Sequence, residues 1–156
     1  MNVNFRCMET KDSAKLLDFI RITALAQGVK YIDATKPELE KACAQEDYYV
    51  FFSMIGDKEV GHAMYVFTYT SFRAKRRLYL EDIFVKEKFR RNGIGKAIFN
   101  ELDRIGKAQN CVEMEWKCSK DNLAAIKFYY SIGARLQSGK DGDWLFWTKD
   151  IIVESE

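Results

Sequence analysis

The feature that most constrains the fold of this chain is a buried strand followed, across a short loop, by an amphipathic helix. Residues 78–85 are aliphatic, aromatic or β-branched apart from Glu81 and Asp82, which predicts a mostly buried strand. Downstream, apolar residues recur at three- and four-residue spacing with polar residues between them, which predicts a helix. Its apolar stripe comprises Ile94, Ala97, Ile98, Leu102 and Ile105.

The loop between these elements combines two arginines with two glycines. Glycine lets a backbone approach a ligand closely, and the first amides of a helix have no intrahelical partner, so such a junction can bind an anion. Arginine adds charge-assisted hydrogen bonds to phosphate oxygens. The segment Arg90-Arg91-Asn92-Gly93-Ile94-Gly95-Lys96 is therefore a candidate pyrophosphate cradle, the alternative being a glycine-tightened loop with a solvated basic edge.

Two familiar phosphate-binding motifs can be compared with this loop. A P-loop requires glycine where Arg90 stands and Ser or Thr where Ala97 stands, so that motif is excluded. A dinucleotide-binding fingerprint requires a third small residue where Ile98 stands. Glu113 lies at a suitable distance downstream for that fingerprint, but the fit is poor.

The pattern Arg90-x-x-Gly93-x-Gly95, between a strand and a helix, resembles the acetyl-CoA-binding motif of the GNAT N-acetyltransferase superfamily. The resemblance extends over about residues 61–134 and is to the diamine (spermidine/spermine) and thialysine acetyltransferases. Its further elements are Leu78-Tyr79-Leu80-Glu81-Asp82, Asn122, Phe128-Tyr129 and Gly133-Ala134. It implies a GNAT acyl-CoA N-acyltransferase fold, which is α/β with a mixed, mostly antiparallel sheet flanked by helices.

The remaining elements agree with that architecture. Thr10 is a candidate N-cap for a first helix that Gly28 ends, and residues 35–38 form a capping-box signature for a second helix to about Ala44. Two β-rich runs, 48–55 and 60–69, read as a hairpin. A helix from about Asn122 to Ile132, capped by Asp121 or Ser119, lies between later strands at 112–117, 134–137 and 144–149.

Composition bounds the classes of function. The 156 residues fit one GNAT domain spanning 1–156, and a formal charge of +2 gives no electrostatic case for nucleic acid. The sequence has no membrane-length apolar run and no hydrophobic signal region, so we expect no membrane partner and a cytoplasmic location. Four separated cysteines and one histidine argue against a metal site.

The resemblance implies acetyl-CoA as cosubstrate. The loop would hold the pyrophosphate, the strand backbone would pair with the pantetheine amides, and Asn122 would lie on the cofactor side. The expected cofactor-binding residues are Ile83, Phe84, Val85, Arg90, Arg91, Asn92, Gly93, Ile94, Gly95, Lys96, Asn122 and Ala125.

Acetyl transfer to an amine requires a group that removes the proton of the ammonium ion. Glu81 is the expected base, directly or through water, because an apolar strand would desolvate it; alternatively it is an edge residue or an ion-pair partner of Arg77. Asp82 is expected to contact the positive charge of the substrate. Tyr129 stands where the superfamily places the general acid for the CoA thiolate, the alternative being a tyrosine that only packs.

The acceptor is the least constrained part. Residues 24–30 lack the acidic side chains of the diamine branch, and the acidic motif near the C-terminus survives only around Asp141, a further expected substrate contact. We expect a small primary amine, such as a polyamine, a diamine or a thialysine-like amino acid. The alternatives are a protein-lysine or N-terminal acetyltransferase, a non-catalytic acetyl-CoA sensor and, more distantly, a nucleotide-binding oxidoreductase. The resemblance also implies a homodimer, to which the apolar tail 151–153 could contribute.

Overall fold

The computed structural model describes residues 2–137 and 142–152 of the chain. In that part of the chain, seven strands form one sheet in the order β1-β2-β3-β4-β5-β7-β6. The strands are β1 (Asn4–Cys7), β2 (Tyr49–Ile55), β3 (Lys58–Thr70), β4 (Lys75–Val85), β5 (Cys111–Ser119), β6 (Arg135–Leu136) and β7 (Trp144–Asp150). The predicted hairpin is confirmed as β2 and β3, which pair antiparallel from Tyr49↔Tyr65 to Ile55↔Lys58.

Four α-helices connect these strands. They are α1 (Ser13–Ala26), α2 (Lys36–Ala44), α3 (Ile94–Ala108) and α4 (Leu123–Ser131). The predicted capping box is present at the start of α2, where the Thr35 side chain accepts from the Glu38 amide and the Glu38 side chain accepts from the Thr35 amide. None of the helices that the structure describes is long and apolar enough to cross a membrane.

Two of the predicted helix caps are wrong. Thr10 begins a short 3-10 turn (Thr10–Asp12), and Asp12 occupies the N-cap position of α1. Helix α4 is capped by Asn122 itself, whose side chain accepts a hydrogen bond from the Ala125 amide. Asp and Asn are both good N-cap residues, so composition alone could not choose between neighbouring candidates.

The described residues pack as two compact units. The first comprises the residues up to Val66 together with Glu81–Ile98. Its core forms around α1, where the Phe19 ring lies 6.0 Å from that of Phe52, 6.1 Å from that of Phe84 and 5.1 Å from that of His62. The buried members of this cluster are Leu16, Phe19, Val50, Phe52, Met64 and Phe84.

The second unit comprises Phe67–Leu80 and the described residues from Phe99 onward. Strands β5 and β7 pair antiparallel from Glu113↔Asp150 to Ser119↔Trp144. Ile151 continues this unit as a buried residue whose amide donates to the Val112 carbonyl, while Ile152 is exposed. The first residue of the expected dimer tail therefore packs within its own chain; Val153 lies outside the described residues.

Strand β4 pairs in parallel with β5, and this gives the sheet its mixed character. The register runs Arg76↔Cys111, Leu78↔Met114 and Tyr79↔Glu115, with an irregularity between the first two pairs. The other recorded pairings, β1·β2, β2·β3, β5·β7 and β6·β7, are antiparallel. The predicted mixed, mostly antiparallel α/β sheet is confirmed.

Candidate functional site

The loop before α3 has a backbone suited to an anion. Arg91 and Gly93 adopt positive φ angles of 63° and 78°, whereas the φ of Arg90 is −67°. Arg90 is extended, with a ψ of 160°. Successive amides of a loop in a turn conformation can form a concave anion-binding nest. Arg91 adopts a conformation that is uncommon for a residue with a side chain, which is a feature of binding loops.

The loop delivers the amides of α3 in a fixed position. The first helical hydrogen bond runs from the Ala97 amide to the Gly93 carbonyl at 3.0 Å, so the amides of residues 94–96 precede the helical ladder. The Asn92 side chain braces the loop by donating to the carbonyls of Phe89 and Arg90 at 3.2 and 3.1 Å. Ile94 is buried and anchors the start of the helix.

The predicted arginines differ in position. The Nε of Arg90 donates to the Val85 carbonyl at 2.7 Å, and its guanidinium lies 5.4 Å from the centre of the Phe84 ring. Arg90 therefore ties the loop to the end of β4. Arg91 and Lys96 are exposed. Residues 83–85 continue β4 beyond Tyr79, the last β4 residue in the recorded register with β5.

The desolvation expected at Glu81 is found at its neighbour instead. Glu81 is exposed, whereas Asp82 is partly buried. Burial raises the pKa of the Asp82 carboxyl to about 6, and the negative charge of Glu81 adds to the rise. Arg77, the alternative partner of Glu81, pairs with Glu113 and Glu115.

The sequence contained a signal for this difference. Leu78, Leu80 and Phe84 are buried and alternate along β4, and Asp82 has the same parity. Because successive strand residues point to opposite faces, Asp82 belongs to the buried set and Glu81 to the other. The prediction treated both faces of the strand as buried and therefore missed the distinction.

At the start of α4, the structure brings two of the predicted cofactor-side residues together. The Oδ1 of Asn122 accepts from the Ala125 amide at 3.1 Å. This hydrogen bond fixes the Asn122 side chain at an exposed helix N-terminus. The amides of the first helical turn form the positive end of the helix dipole there. Both residues are thus linked by a cap that the sequence analysis assigned elsewhere.

Tyr129 lies in an aromatic cluster inside the second unit. It is 6% exposed, and ring-centre distances are 5.3 Å to Trp116, 5.4 Å to Trp147 and 6.0 Å to Phe99. Burial raises the pKa of its hydroxyl, and the Cys118 thiol adds to the rise. The hydroxyl therefore retains its proton throughout the neutral range. Tyr130, its neighbour, is 55% exposed.

The remaining predicted residue, Asp141, lies outside the described residues. One residue near the site was missed by the sequence analysis: Gly61, within β3, packs against the backbone of Phe84 and Val85. A glycine inside a strand pattern signals a close backbone approach, so the signal was present in the sequence.

Comparison with known proteins identifies relatives of this chain. The model of the Acetyltransferase (GNAT) family matches residues 16–134. L-ornithine N5-acetyltransferase NATA1 of Arabidopsis thaliana is 34% identical over 76 residues, which is 49% of this chain and 33% of that protein. The bovine (Bos taurus) thialysine N-epsilon-acetyltransferase is 32% identical over 76 residues, again 49% of this chain and 44% of that protein. The matches thus span less than half of these two relatives.

A bacterial relative matches over a greater length. Spermine/spermidine N(1)-acetyltransferase of Bacillus subtilis is 24% identical over 145 residues, covering 90% of this chain and 93% of that protein. Solved structures share the fold. The PaiA N-acetyltransferase of Thermoplasma acidophilum in complex with coenzyme A superposes with a TM-score of 0.76 at 16% identity, covering 96% of this chain and 99% of that one. An aminoglycoside acetyltransferase from an uncultured soil metagenomic sample in complex with sisomicin gives 0.74 at 20% identity, covering 90% and 91%.

Proposed function

The chain belongs to the GNAT acetyltransferase family, and from that premise we propose that it transfers the acetyl group of acetyl-CoA to a primary amine of a small molecule. The observation that carries the proposal is the loop before α3. Three features support a pyrophosphate there: the positive φ of Arg91 and Gly93, the amides ahead of the helical ladder, and the exposed Arg91 and Lys96.

We assign the pyrophosphate and the pantetheine arm of the cofactor to segments of the first unit. The loop 90–96 would bind the pyrophosphate, and the backbone of residues 83–85 would pair with the pantetheine arm. Asn122 and Ala125, at the N-terminus of α4 in the second unit, stay predicted cofactor contacts. When bound, acetyl-CoA would supply an acetyl group activated as a thioester.

The acidic pair in β4 prepares the amine. An alkylammonium has a pKa of about 10, so a base must remove its proton before the nitrogen can attack. We propose Glu81 as that base, directly or through a water molecule, and Asp82 as the partner of the substrate's positive charge. The raised pKa of Asp82 makes it a second candidate for the proton acceptor, because a base that titrates near the working pH is the more effective one.

Tyr129 completes the proton balance. The neutral amine forms the new carbon–nitrogen bond as the carbon–sulfur bond breaks, and Tyr129 supplies the proton that the departing thiolate takes up. Its fixed place in the aromatic cluster supports this role, although the raised pKa of its hydroxyl makes it a weaker acid. No acyl-enzyme is required.

The acceptor class follows from the relatives and from the composition of residues 24–30. The relatives named above are acetyltransferases of ornithine, thialysine and spermine or spermidine. The segment at the end of α1 carries Lys30 and exposed Leu25 and Val29 in place of acidic residues. We therefore propose a small amine or amino acid with fewer positive charges than spermine. The expected homodimer and cytoplasmic location remain predictions.

The test is thiol release from acetyl-CoA over a panel of putrescine, spermidine, spermine, ornithine, thialysine, lysine, an aminoglycoside and short basic peptides. Turnover of one small amine supports the proposal and identifies the acceptor. Preferential turnover of peptides would replace it with a protein acetyltransferase. Acetyl-CoA binding with no turnover of any member, and with the same affinity in Glu81→Gln and Tyr129→Phe, would favour a sensor.

A further inference from the structure

Gly61, in β3, lies close to the backbone at the end of β4. A methyl group built at Gly61 would overlap the carbonyl oxygen of Phe84, would lie 2.7 Å from the Ser53 Oγ and would lie 3.3 Å from the Val85 Cα. Two of these three atoms belong to the β4 backbone, which cannot rotate away as the tip of a side chain can. Only glycine leaves the β4 backbone in its present position.

Two hydrogen bonds also hold the end of β4 in place. The Lys86 amide donates to the Val60 carbonyl at 2.8 Å, next to Gly61 in β3. The Arg90 Nε donates to the Val85 carbonyl at 2.7 Å. The backbone of residues 84–86 is therefore fixed by contacts with β3 and with the loop before α3, all within the first unit.

We propose that Gly61 is a positioning residue for the cofactor: it sets the place of the Phe84–Val85 backbone, so that this strand end is already in its binding position before coenzyme A arrives. The inference rests on the proposed function, which assigns residues 83–85 to the pantetheine arm. Preorganisation of this kind improves binding because the protein loses less conformational freedom when the ligand docks.

The test is Gly61→Ala, examined by direct titration with coenzyme A and by acetyl-transfer kinetics. We expect the Kd for coenzyme A and the KM for acetyl-CoA to rise at least tenfold, with a much smaller change in the KM for the amine. Gly61→Ala/Ser53→Ala removes the Ser53 Oγ, which is buried and without a hydrogen-bond partner among the described residues. Because the overlap with Phe84 remains, the double variant should still bind coenzyme A weakly.

Gly106→Ala is the matched control. A methyl group there would also be crowded, but against the tip of the Ile151 side chain and 3.7 Å from the Cys111 Cβ. It should lower the melting temperature without changing coenzyme A affinity. If Gly106→Ala weakens binding as much as Gly61→Ala does, or if the double variant regains wild-type affinity, the positioning role is wrong.

Hydrogen exchange of the wild-type protein tests the same inference without a variant. The Lys86 amide should be protected before coenzyme A is added, and addition should change its protection little. An amide that becomes protected only with coenzyme A would overturn the inference, even if Gly61→Ala does not fold. Failure of the wild-type protein to bind coenzyme A would instead overturn the proposed function, so the two failures are distinguishable.

Discussion

Arg90 donates from its Nε to the carbonyl oxygen of Val85 across 2.7 Å, so the first arginine of the loop is bonded to the end of the strand that precedes it. Its guanidinium also lies near the Phe84 ring. The loop and the strand end are thereby coupled within the first unit. In the proposed function, these are the segments that bind the pyrophosphate and the pantetheine arm.

We expect Arg90→Ala to weaken coenzyme A binding by roughly three- to tenfold, the effect of losing one charge-assisted hydrogen bond on an exposed side chain. Isothermal titration would measure the change. 3′-Phospho-ADP and pantetheine, titrated in parallel, separate the two halves of the ligand. Because Arg90 bonds to the pantetheine-side strand, pantetheine binding should weaken as well; unchanged pantetheine binding would show that the coupling has no energetic effect.

Arg91→Gly separates charge from backbone geometry. The left-handed conformation of Arg91 costs about 1 kcal/mol, and glycine relieves that cost. Glycine also has more conformational freedom in the unfolded chain, which lowers stability by a similar amount. The free energy of unfolding in urea should therefore change little. Coenzyme A affinity should fall because a cation beside the pyrophosphate is lost. If the affinity stays at the wild-type value, Arg91 does not contact the ligand.

We expect Asp82 to cause a decline in activity at acid pH, which is the acid limb of the pH–rate profile. Its pKa of about 6 means that the ionised form is lost as the pH falls below 6, so kcat/KM for the amine should decline there if that charge is needed. Asp82→Asn should remove the limb. Glu81→Gln removes the neighbouring negative charge and so lowers the pKa of Asp82. The activity that remains in this variant should therefore decline at a lower pH than in the wild-type protein. A limb at the same pH in Asp82→Asn would assign it to another group.

Tyr129→Phe removes one hydroxyl from the aromatic cluster and leaves the rings in place. We expect kcat to fall by about 10²-fold or more, as for loss of a general acid, with a near-normal melting temperature. Tyr130→Phe is the control, since that neighbouring side chain is exposed and should change kcat little. Equal effects of the two substitutions would mean that Tyr129 only packs.

Because of the buried His62, we expect the free energy of unfolding to fall in mild acid. Its ring is fully buried, and neither ring nitrogen has a hydrogen-bond partner among the described residues. Burial lowers its pKa from 6.5 to about 4, so the unfolded chain binds a proton before the folded chain does. The stability is present in full above pH 6.5 and is lost as the pH falls toward 4, by roughly 3 kcal/mol.

His62→Phe should flatten this part of the pH dependence of urea unfolding. Asp82 acts in the opposite direction, because its folded-state pKa is raised and its protonation stabilises the fold below about pH 6. The comparison is therefore made in an Asp82→Asn background. An unchanged slope between pH 6.5 and 4 in the His62→Phe protein would exclude His62 as its source.

The strand–loop–helix element was predictable because its signals are local. The apolar run of β4, the apolar stripe of α3 and the capping box of α2 depend on residues close together in the sequence. The same locality explains the confirmed hairpin. The motif that begins at Arg90 follows β4 and leads into α3, as predicted, while its role as a pyrophosphate cradle stays a prediction.

The features that could not be predicted from the sequence depend on packing between segments that are distant along the chain. The partner of the Arg90 side chain and the crowding of Gly61 against Phe84 arise from contacts that no local pattern encodes. The helix caps failed for a different reason: several acceptable cap residues stand side by side near Asn122, and small differences in loop geometry decide among them. The unequal burial of Glu81 and Asp82 lay within reach of strand parity.

The placement of the three tryptophans gives the protein a built-in optical reporter. Trp116 and Trp147 are buried beside Tyr129, and the Trp147 indole N–H donates to the Cys118 sulfur at 3.3 Å, whereas Trp144 is partly exposed under the Lys117 ammonium. The short-wavelength part of the tryptophan emission should therefore come from Trp116 and Trp147, which lie beside Tyr129. A dissolved quencher should act first on Trp144. Events at Tyr129 can be followed by fluorescence without attaching a label.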